Sequence, residues 1–293
     1  MRLASTCVRS LLRRADERRD LWVLDGDLAD SYDAQLFEEA VPDRFVMCGI
    51  AEQNMVSVAA GLAASGQRPW VFSFAAFLAH RANDQIRVSM CQSDLPVTLV
   101  GSHAGGCGGR NGKSHQTTND LAAVGVFPGL RAFAPGDPAD VESVIDEVLD
   151  TAAPSYVRTP RDDCPPLPGS PGTVRWLTPP TEHLVITHGL SSQWAFDALG
   201  DEPSGVSIIH CRRIAPVPRE IVALVASARS WSVVEDHVWH GGLASRLIRA
   251  TGRMPTRWLG WPDHWPGGSG SSDELRRSQG LDPRALRAAL VGP

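Results

Sequence analysis

The sequence predicts an α/β protein of two domains, each a mainly parallel sheet covered by helices. The 293 residues exceed the roughly 100–200 residues of one domain. Short β-like runs alternate with helical patterns through both halves, which is typical of parallel sheets. Seven prolines between residues 160 and 180 leave no room for a helix or a central strand. We therefore expect domains at 1–160 and 181–293, joined by a proline-rich linker at 161–180.

In the first half, buried strands are predicted at 21–24, 70–72 and 96–100. Apolar residues at helical spacing predict helices around 3–12, 55–62 and 141–149. In the second half, strands are expected at 184–187, 206–209 and 232–234. Helices are expected near 191–199, 218–228 and 242–251. Parallel sheets bind ligands where their strands end, so the loops after these strands are the places to search for a site.

Composition narrows the classes of function. A net charge of −5 gives no basic field for nucleic acid, and no apolar run approaches the ~20 residues that span a membrane. Six cysteines include no C-x-x-C pair, which favours free thiols in a reducing cytoplasm. The arginine-rich start is compatible with a transit peptide, but its apolar spacing and the acids Asp16 and Glu17 favour a domain's first helix. We expect a cytoplasmic protein without nucleic-acid or membrane partners.

A glycine-rich loop after the third predicted strand ends in Gly112-Lys113-Ser114, as a phosphate-binding P-loop does. The P-loop pattern G-x-x-x-x-G-K-[ST] requires its first glycine at position 107, where this chain has Cys107. The residues after Ser114 are also a poor first helical turn. A nucleotide-binding function is therefore disfavoured, although the glycines indicate a close approach of backbone to a ligand.

A more specific signal is Gly49-Ile50-Ala51-Glu52-Gln53-Asn54-Met55, where an acid stands between a β-like run and an apolar helix. A carboxylate in that place is desolvated at a helix N-terminus. Taken alone, Glu52 is also an ordinary acid at a helix start.

Further motifs change that balance: Ser73-Phe74-Ala75-Ala76-Phe77, Asp84-Gln85-Ile86-Arg87, Gly101-Ser102-His103-Ala104-Gly105, Gly112-Lys113-Ser114-His115-Gln116 and Val234-Glu235-Asp236-His237. Together with the Glu52 motif, in this order and spacing, they resemble the C-terminal half of transketolases over nearly the whole chain. The resemblance implies a thiamine diphosphate pyrimidine-binding domain followed by the transketolase C-terminal domain.

Whole transketolases bind the diphosphate through a divalent metal in an N-terminal domain with a Gly-Asp-Gly…Asn pattern, and this chain lacks that pattern. The resemblance thus implies a split transketolase. Its partner would be a separate subunit resembling the N-terminal half, in an α2β2 assembly. Thiamine diphosphate would lie between the subunits, with Mg²⁺ (or Ca²⁺) held mainly by the partner. We expect no metal site in this chain.

The resemblance also implies roles for single residues. Glu52 would hydrogen-bond N1′ of the aminopyrimidine and favour its imino tautomer. His103 and His115 would face the substrate, shuttling a proton as neutral imidazoles or stabilising an alkoxide as cations. The expected catalytic residues are Glu52, His103 and His115, and the expected cofactor-binding residues are Glu52, Phe74, Phe77, His80 and Asp27.

Substrate contacts follow from the same comparison, with Arg161 and Arg2 as phosphate-gripping arginines and Ser31 as a phosphate-contacting serine. The family loop Gly-Glu-Asp-Gly-Pro-Ser/Thr-His-Gln reads here with Arg110, Asn111 and Lys113 in place of Glu, Asp and Pro, so its formal charge moves from −2 to +2. Asn111 and Lys113 would contact the acceptor. We expect an acceptor more anionic than an aldose phosphate, or a group bound to a carrier protein.

These expectations describe a ketol transferase that moves a two-carbon unit from a ketose phosphate to an aldehyde or carrier-bound acceptor. Three alternatives stay open. One is the β-subunit of a 2-oxo acid dehydrogenase E1, which the paired histidines and Arg161 disfavour. The second is a hybrid that passes the two-carbon unit to a lipoyl or carrier domain. The third is a non-catalytic scaffold subunit.

Overall fold

The computed structural model describes residues 1–200, 205–265 and 268–291, except for the side chains of residues 107 and 108. Within these ranges the chain forms two sheets flanked by helices, as the alternating pattern predicts. The strands, in chain order, are β1 Leu21–Asp25, β2 Phe45–Met47, β3 Arg68–Phe74, β4 Thr98–Ser102, β5 Arg131–Phe133, β6 Ser155–Arg158, β7 Arg175–Trp176, β8 His183–Thr187, β9 Ser207–His210, β10 Arg213–Ala215, β11 Ser230–Val238 and β12 Trp258–Trp261.

The helices follow the connections between strands. They are α1 Leu3–Arg14, α2 Ala29–Tyr32, α3 Gln35–Ala40, α4 Glu52–Ala64, α5 Asn83–Gln85, α6 Asp120–Val124, α7 Pro138–Thr151, α8 Ser191–Leu199, α9 Arg219–Ser227, α10 Leu243–Thr251, α11 Ser272–Ser278 and α12 Pro283–Val291. Short 3₁₀ turns lie at Pro42–Arg44 and Gly106–Asn111, and wider π-helical turns lie at Phe77–Arg81 and Ile86–Cys91.

The first sheet has seven strands in the order β10-β5-β6-β4-β3-β1-β2, parallel except for β10, which runs antiparallel to β5. The second has five strands in the order β12-β11-β8-β9-β7, parallel except for β7. Two mainly parallel sheets covered by helices confirm the predicted fold class. The predicted strands and helices are all found, with ends shifted by a few residues.

Alternation of apolar side chains along the central strands builds the core on both faces of the first sheet. Val23 and Phe72 share one buried cluster with residues of α1 and α7. Leu24 and Val71, one residue along, belong to a second cluster with residues of α4. Successive side chains of a strand point to opposite faces, so each face meets its own helix layer.

Strands β5, β6, β7, β10 and β12 were not predicted, and β7, β10 and β12 lie at sheet edges. β7, only two residues long, falls inside the proline-rich stretch and pairs with β9 at a sheet edge, where few backbone hydrogen bonds are needed. β10 comes from the second half but completes the first sheet beside β5. The Glu147 carboxylate of α7 holds this edge, lying 2.7 Å from Arg213 Nη1 and 2.6 Å from Arg131 Nη2. The division into 1–160, 161–180 and 181–293 stays a prediction.

A buried ionic cluster joins the two sheets, and we call Arg158, Asp120, Asp236, Tyr156 and Trp261 the Arg158 cluster. Arg158 Nε lies 2.9 Å from Asp120 Oδ2, and its Nη1 lies 3.0 Å from Asp236 Oδ2 at the end of β11. Tyr156 Oη donates to Asp120, and Trp261 Nε1 donates to Asp236. Because all five side chains are buried, every polar group in the cluster needs a protein partner, and each has one.

Five cysteines, Cys7, Cys48, Cys91, Cys164 and Cys211, have free thiols, as expected. The side chain of the sixth, Cys107, lies outside the described residues. Among the helices that the structure describes, none has the length and apolar character needed to cross a membrane.

Candidate active site at the ends of the central strands

The candidate site forms where β1, β3 and β4 end side by side. The register places Phe74 beside Ser102, so the turns after these strands open on the same edge of the sheet. Helix α4 begins at this edge with Glu52 as its first residue. Ligands of parallel sheets bind at such an edge, and the predicted catalytic residues lie along it.

Glu52 is 1 % exposed, and both of its carboxylate oxygens are occupied. Oε1 accepts a hydrogen bond from Ser73 Oγ at 3.1 Å, and Oε2 accepts one from Arg81. No side chain caps the start of α4, so the carboxylate of its first residue is the negative group nearest to the helix N-terminus. These two donors hold the buried carboxylate in one position. One donor can be exchanged for a hydrogen-bond donor of a ligand.

Arg81 is a site residue that the sequence analysis missed. Its guanidinium pairs with Glu52 and lies 4.4 Å from the centroid of the Phe77 ring, although 42 % of its side chain is exposed. The π-helical turn Phe77–Arg81 brings the aromatic ring and the guanidinium to the same place. The available signal was the position of Arg81, two residues after the apolar run 74–79. A charge next to a buried run needs a partner.

Four rings form one cluster beside Glu52. Phe74 packs against His103 at 4.1 Å between centroids, against His115 at 5.8 Å and against Phe77 at 5.9 Å. Phe77 meets the edge of His115 at 5.3 Å. The structure thus brings together both predicted histidines and both predicted aromatic residues. In the sequence the two histidines follow Phe74 by 29 and 41 positions.

His103 follows β4 directly and has a positive φ of 58°. Burial, with smaller contributions from the positive charges of Arg161 and Arg2 and from the nearby His115, lowers its pKa from 6.5 to about 4. Its Nδ1 lies 3.2 Å from Ser102 Oγ. At neutral pH the imidazole is therefore neutral, which makes it a proton acceptor or shuttle rather than a fixed cation.

The loop over residues 105–117 carries His115 and closes on itself. Gly105 and Thr117 exchange backbone hydrogen bonds of 2.9 and 3.1 Å. A Cβ on Gly105, whose φ is +76°, would lie 1.9 Å from Asp236 Oδ2, so this residue must be glycine. The base of the loop is thus packed directly on the Arg158 cluster, and the second sheet helps to fix where His115 lies.

Two further residues, His80 and Asp27, were predicted to bind the cofactor. His80 is exposed, and its Nε2 lies 3.0 Å from Asn119 Oδ1 and 3.3 Å from Thr117 Oγ1. Asp27 is exposed in the turn after β1, with a φ of +66°. The buried acid of that turn is Asp25, which accepts a hydrogen bond from Tyr32 Oη.

Burial raises the pKa of Asp25. Burial and the negative charges of Asp25, Glu52 and Asp27 raise the pKa of Tyr32. The sequence analysis missed Asp25 and Tyr32, because a strand-end acid is recognisable as buried only once the strand's last residue is known.

Three of the five predicted substrate residues, Arg2, Ser31 and Arg161, lie near one another, and the charges of the two arginines reach His103. Arg2 Nη1 lies 3.4 Å from the carbonyl oxygen of Ser31, and Arg2 and Arg161 line one cleft with Arg110. Asn111 and Lys113 are exposed on the 105–117 loop. No helix begins at Lys113-Ser114, and the next helix, α6, starts only at Asp120, so the loop lacks the strand–loop–helix form of a P-loop.

The donor set at Glu52 fits an aminopyrimidine. A ring nitrogen that carries a hydrogen needs a carboxylate acceptor, and a flat heterocycle needs apolar faces, which Phe74 and Phe77 supply. Glu52, Phe74 and Phe77 together are therefore chemically compatible with the aminopyrimidine part of thiamine diphosphate.

Comparison with known proteins identifies the family of the chain. Residues 4–166 match the family model "Transketolase, pyrimidine binding domain". The chain is 31 % identical to a 1-deoxy-D-xylulose-5-phosphate synthase of Mycolicibacterium vanbaalenii, over 98 % of this chain and 47 % of that protein. It is also 31 % identical to a putative transketolase C-terminal section of Methanocaldococcus jannaschii, over 96 % of this chain and 93 % of that protein.

Among solved structures, one described as "Split gene transketolase, inactive beta4 tetramer" superposes with a TM-score of 0.87 at 27 % identity, covering 99 % of this chain and 97 % of the other. The chain spans about half the length of the synthases it matches, but nearly all of the separate C-terminal section. The chain therefore belongs to the transketolase family and corresponds to its C-terminal half.

Proposed function

We propose that this chain is the pyrimidine-binding subunit of a split, thiamine diphosphate-dependent transketolase that transfers a two-carbon ketol unit from a ketose phosphate to an aldehyde or carrier-bound acceptor. The observation that carries the proposal is the buried Glu52 carboxylate beside Phe74, Phe77 and two histidines. The family depends on thiamine diphosphate, which when bound supplies an electron sink for cleavage of a bond next to a carbonyl group.

Glu52 is the proposed acid–base group for the aminopyrimidine. Its carboxylate holds a proton at N1′, while Ser73 Oγ, 3.1 Å from Oε1, keeps the other oxygen in place. Arg81 holds Oε2 in the free chain and has an exposed side chain free to move aside. Phe74 and Phe77 exclude water from the ring and fix its orientation.

His103 and His115 are the proposed proton-transfer groups on the substrate side. The lowered pKa of His103 makes it neutral at physiological pH, which suits removal of a proton from a substrate hydroxyl. Arg161 and Arg2 are the proposed phosphate ligands, with Ser31 beside Arg2. Asn111 and Lys113, both exposed on the 105–117 loop, are proposed to contact the acceptor.

A partner subunit resembling the N-terminal half of a transketolase is proposed to hold the diphosphate and its metal ion, in an α2β2 assembly. Support comes from the likeness to a chain described as a split gene transketolase and from two exposed apolar side chains close to Glu52 in the sequence, Met47 (46 % exposed) and Ile50 (71 % exposed). A docked partner would cover them.

The test is ketose cleavage with thiamine diphosphate and Mg²⁺, for the chain alone and for its mixture with a neighbouring gene's product that resembles a transketolase N-terminal half. Activity in the mixture only, lost by at least about 100-fold in Glu52→Gln, is the expected result. The exposed Glu220→Gln is the matched control and should retain full activity. Undiminished activity of Glu52→Gln would leave only a scaffold role.

A second candidate follows from relatives named 1-deoxy-D-xylulose-5-phosphate synthase. A 1-deoxy product carries a methyl group at C1, so its two-carbon unit is an acetyl rather than a ketol unit. The same mixture, given a 2-oxo acid in place of the ketose, distinguishes the two: carbon dioxide release without ketose cleavage would favour the second candidate.

A further inference from the structure

A polar cleft of about 280 Å³ lies on the substrate side of His103, and three arginines line it: Arg2, Arg110 and Arg161. Its volume is close to the lower end of the roughly 300–1,000 Å³ typical of small-molecule sites. Arg2 and Arg161 are the proposed phosphate ligands. Arg110 has no counterpart in the family loop, which has an acid at this position.

In the described part of the chain none of the three guanidiniums forms a close ion pair, although Arg110 is near enough to Glu274 for its charge to contribute to lowering the pKa of that carboxyl. Among the residues that the structure describes, no carboxylate lies within 4 Å of any of them, and Arg2 has only the Ser31 carbonyl at 3.4 Å. Two acids also line the cleft and reduce its positive charge, but three guanidiniums outnumber them and one of the two is paired with another cation. Asp162 accepts a hydrogen bond from Ser272 Oγ at 3.0 Å, and Asp163 lies 3.2 Å from the Met1 amino group. The cleft therefore offers a positive field that an anion would neutralise.

Arg110 is held at the cleft by close packing of its own loop. The Gly270 amide donates to the Gly109 carbonyl at 3.1 Å, and a Cβ on Gly109 would lie 2.3 Å from Leu275 Cδ1. The backbone beside Arg110 thus rests directly on α11 of the second half. This contact fixes the position of the backbone from which the Arg110 side chain extends. A surface loop without such packing would not hold the arginine at the cleft.

We propose that Arg110 extends the phosphate site to take a second anionic group, so that a substrate of this subunit carries a phosphate and a further phosphate or carboxylate. A guanidinium fork binds either group with two parallel hydrogen bonds, and a single phosphate does not need three arginines. This inference rests on the proposed function and names the class of its substrate. It also gives the replacement of a family acid by Arg110 a chemical reason.

The test is a calorimetric titration of the full chain with inorganic phosphate and with pyrophosphate at low ionic strength. The wild-type chain should bind pyrophosphate about tenfold more tightly than phosphate. Arg110→Gln should abolish that preference while phosphate binding changes little. Arg161→Gln should weaken both anions, and Arg219→Gln, an exposed arginine on α9, should weaken neither.

A preference for pyrophosphate that survives in Arg110→Gln would overturn the inference, and so would a wild-type chain that binds both anions equally or not at all. Because the titration contains no thiamine, its result is separate from that of the cleavage assay. Lost cleavage with an intact anion preference would overturn only the proposed function, and the reverse would overturn only this inference.

Discussion

Two buried carboxylates, Asp236 in the Arg158 cluster and Glu52 in the candidate site, are each paired with an arginine but differ in what surrounds the pair. Arg158 is 3 % exposed, and Asp236 also accepts hydrogen bonds from Trp261 and from the Gly106 amide. Arg81 is 42 % exposed, and among the described residues Ser73 is the one other side chain that donates to Glu52. The Asp236–Arg158 pair is inaccessible to solvent and ligands. In the Glu52–Arg81 pair, solvent or a ligand can replace the arginine.

The difference separates structural from functional burial of charge. A buried ion pair with every bond satisfied is costly to break and holds the chain in one arrangement. A buried carboxylate with one exchangeable bond keeps the desolvated environment that acid–base chemistry needs, while leaving an oxygen for a cofactor. The following predictions measure that contrast, from the largest effect on stability to the smallest.

Arg158→Met should destabilise the protein most, by about 3–5 kcal/mol, because it leaves Asp120 and Asp236 buried without a cation. Urea denaturation followed by circular dichroism measures the loss. Simultaneous replacement of both acids by Asn in the same background should recover part of it. A loss under 1 kcal/mol would mean that water reaches the cluster.

Gly105→Ala should cost about 2–4 kcal/mol, because the new Cβ meets Asp236 and the backbone has a positive φ. Gly112→Ala on the same loop is the matched control. It has nearly the same φ, +78°, but nothing within 4 Å, so it should show the backbone strain alone, about 1–3 kcal/mol, and lose less stability than Gly105→Ala. Equal losses in the two variants would show that backbone strain alone, and not contact with the cluster, limits the loop.

Acid should destabilise the chain through its buried histidines. The pKa values of His103 and His237 are lowered by burial to about 4, whereas unfolded histidine titrates near 6.5. Between these values the unfolded chain binds the protons, so stability falls as the pH drops from about 6.5 towards 4. The slope is up to about 1.4 kcal/mol per pH unit for each histidine.

Denaturation from pH 4.5 to 7.5 measures this slope. His103→Asn should reduce the slope by the contribution of one histidine. His264→Asn, at an exposed position, should leave the slope unchanged. A slope that His103→Asn does not alter would place the proton uptake elsewhere.

Arg81→Met should have the smallest effect on stability, about 1 kcal/mol, because solvent reaches the arginine and water can take its place on Glu52. Thermal denaturation measures this, and thiamine diphosphate binding by the assembled enzyme gives a second readout. A loss as large as that of Arg158→Met would mean that the Glu52 pair is as closed as the Arg158 cluster.

The sequence predicted the long elements and the ring cluster because their signals are local. Apolar runs located β1, β3, β4, β8, β9 and β11 but not β5, β6 or β12. The motifs around Phe74, His103 and His115 identified residues that do meet in space. Arg81 and Ser73 were missed because their contact with Glu52 depends on a π-helical turn and on the end of β3. The two-residue β7 and three-residue β10 are too short to show periodicity. The roles of the site residues stay predictions.

Strand β10 also determines how the chain can be divided. It is supplied by the second half, yet it covers the edge strand β5 of the first sheet, and Glu147 ties both strands to α7. A fragment that ended in the proline-rich stretch would leave β5 with a row of unpaired amide and carbonyl groups, an adhesive edge prone to aggregation. The halves that look separable in the sequence are therefore expected to unfold as a single cooperative unit, and a recombinant first half to be poorly soluble.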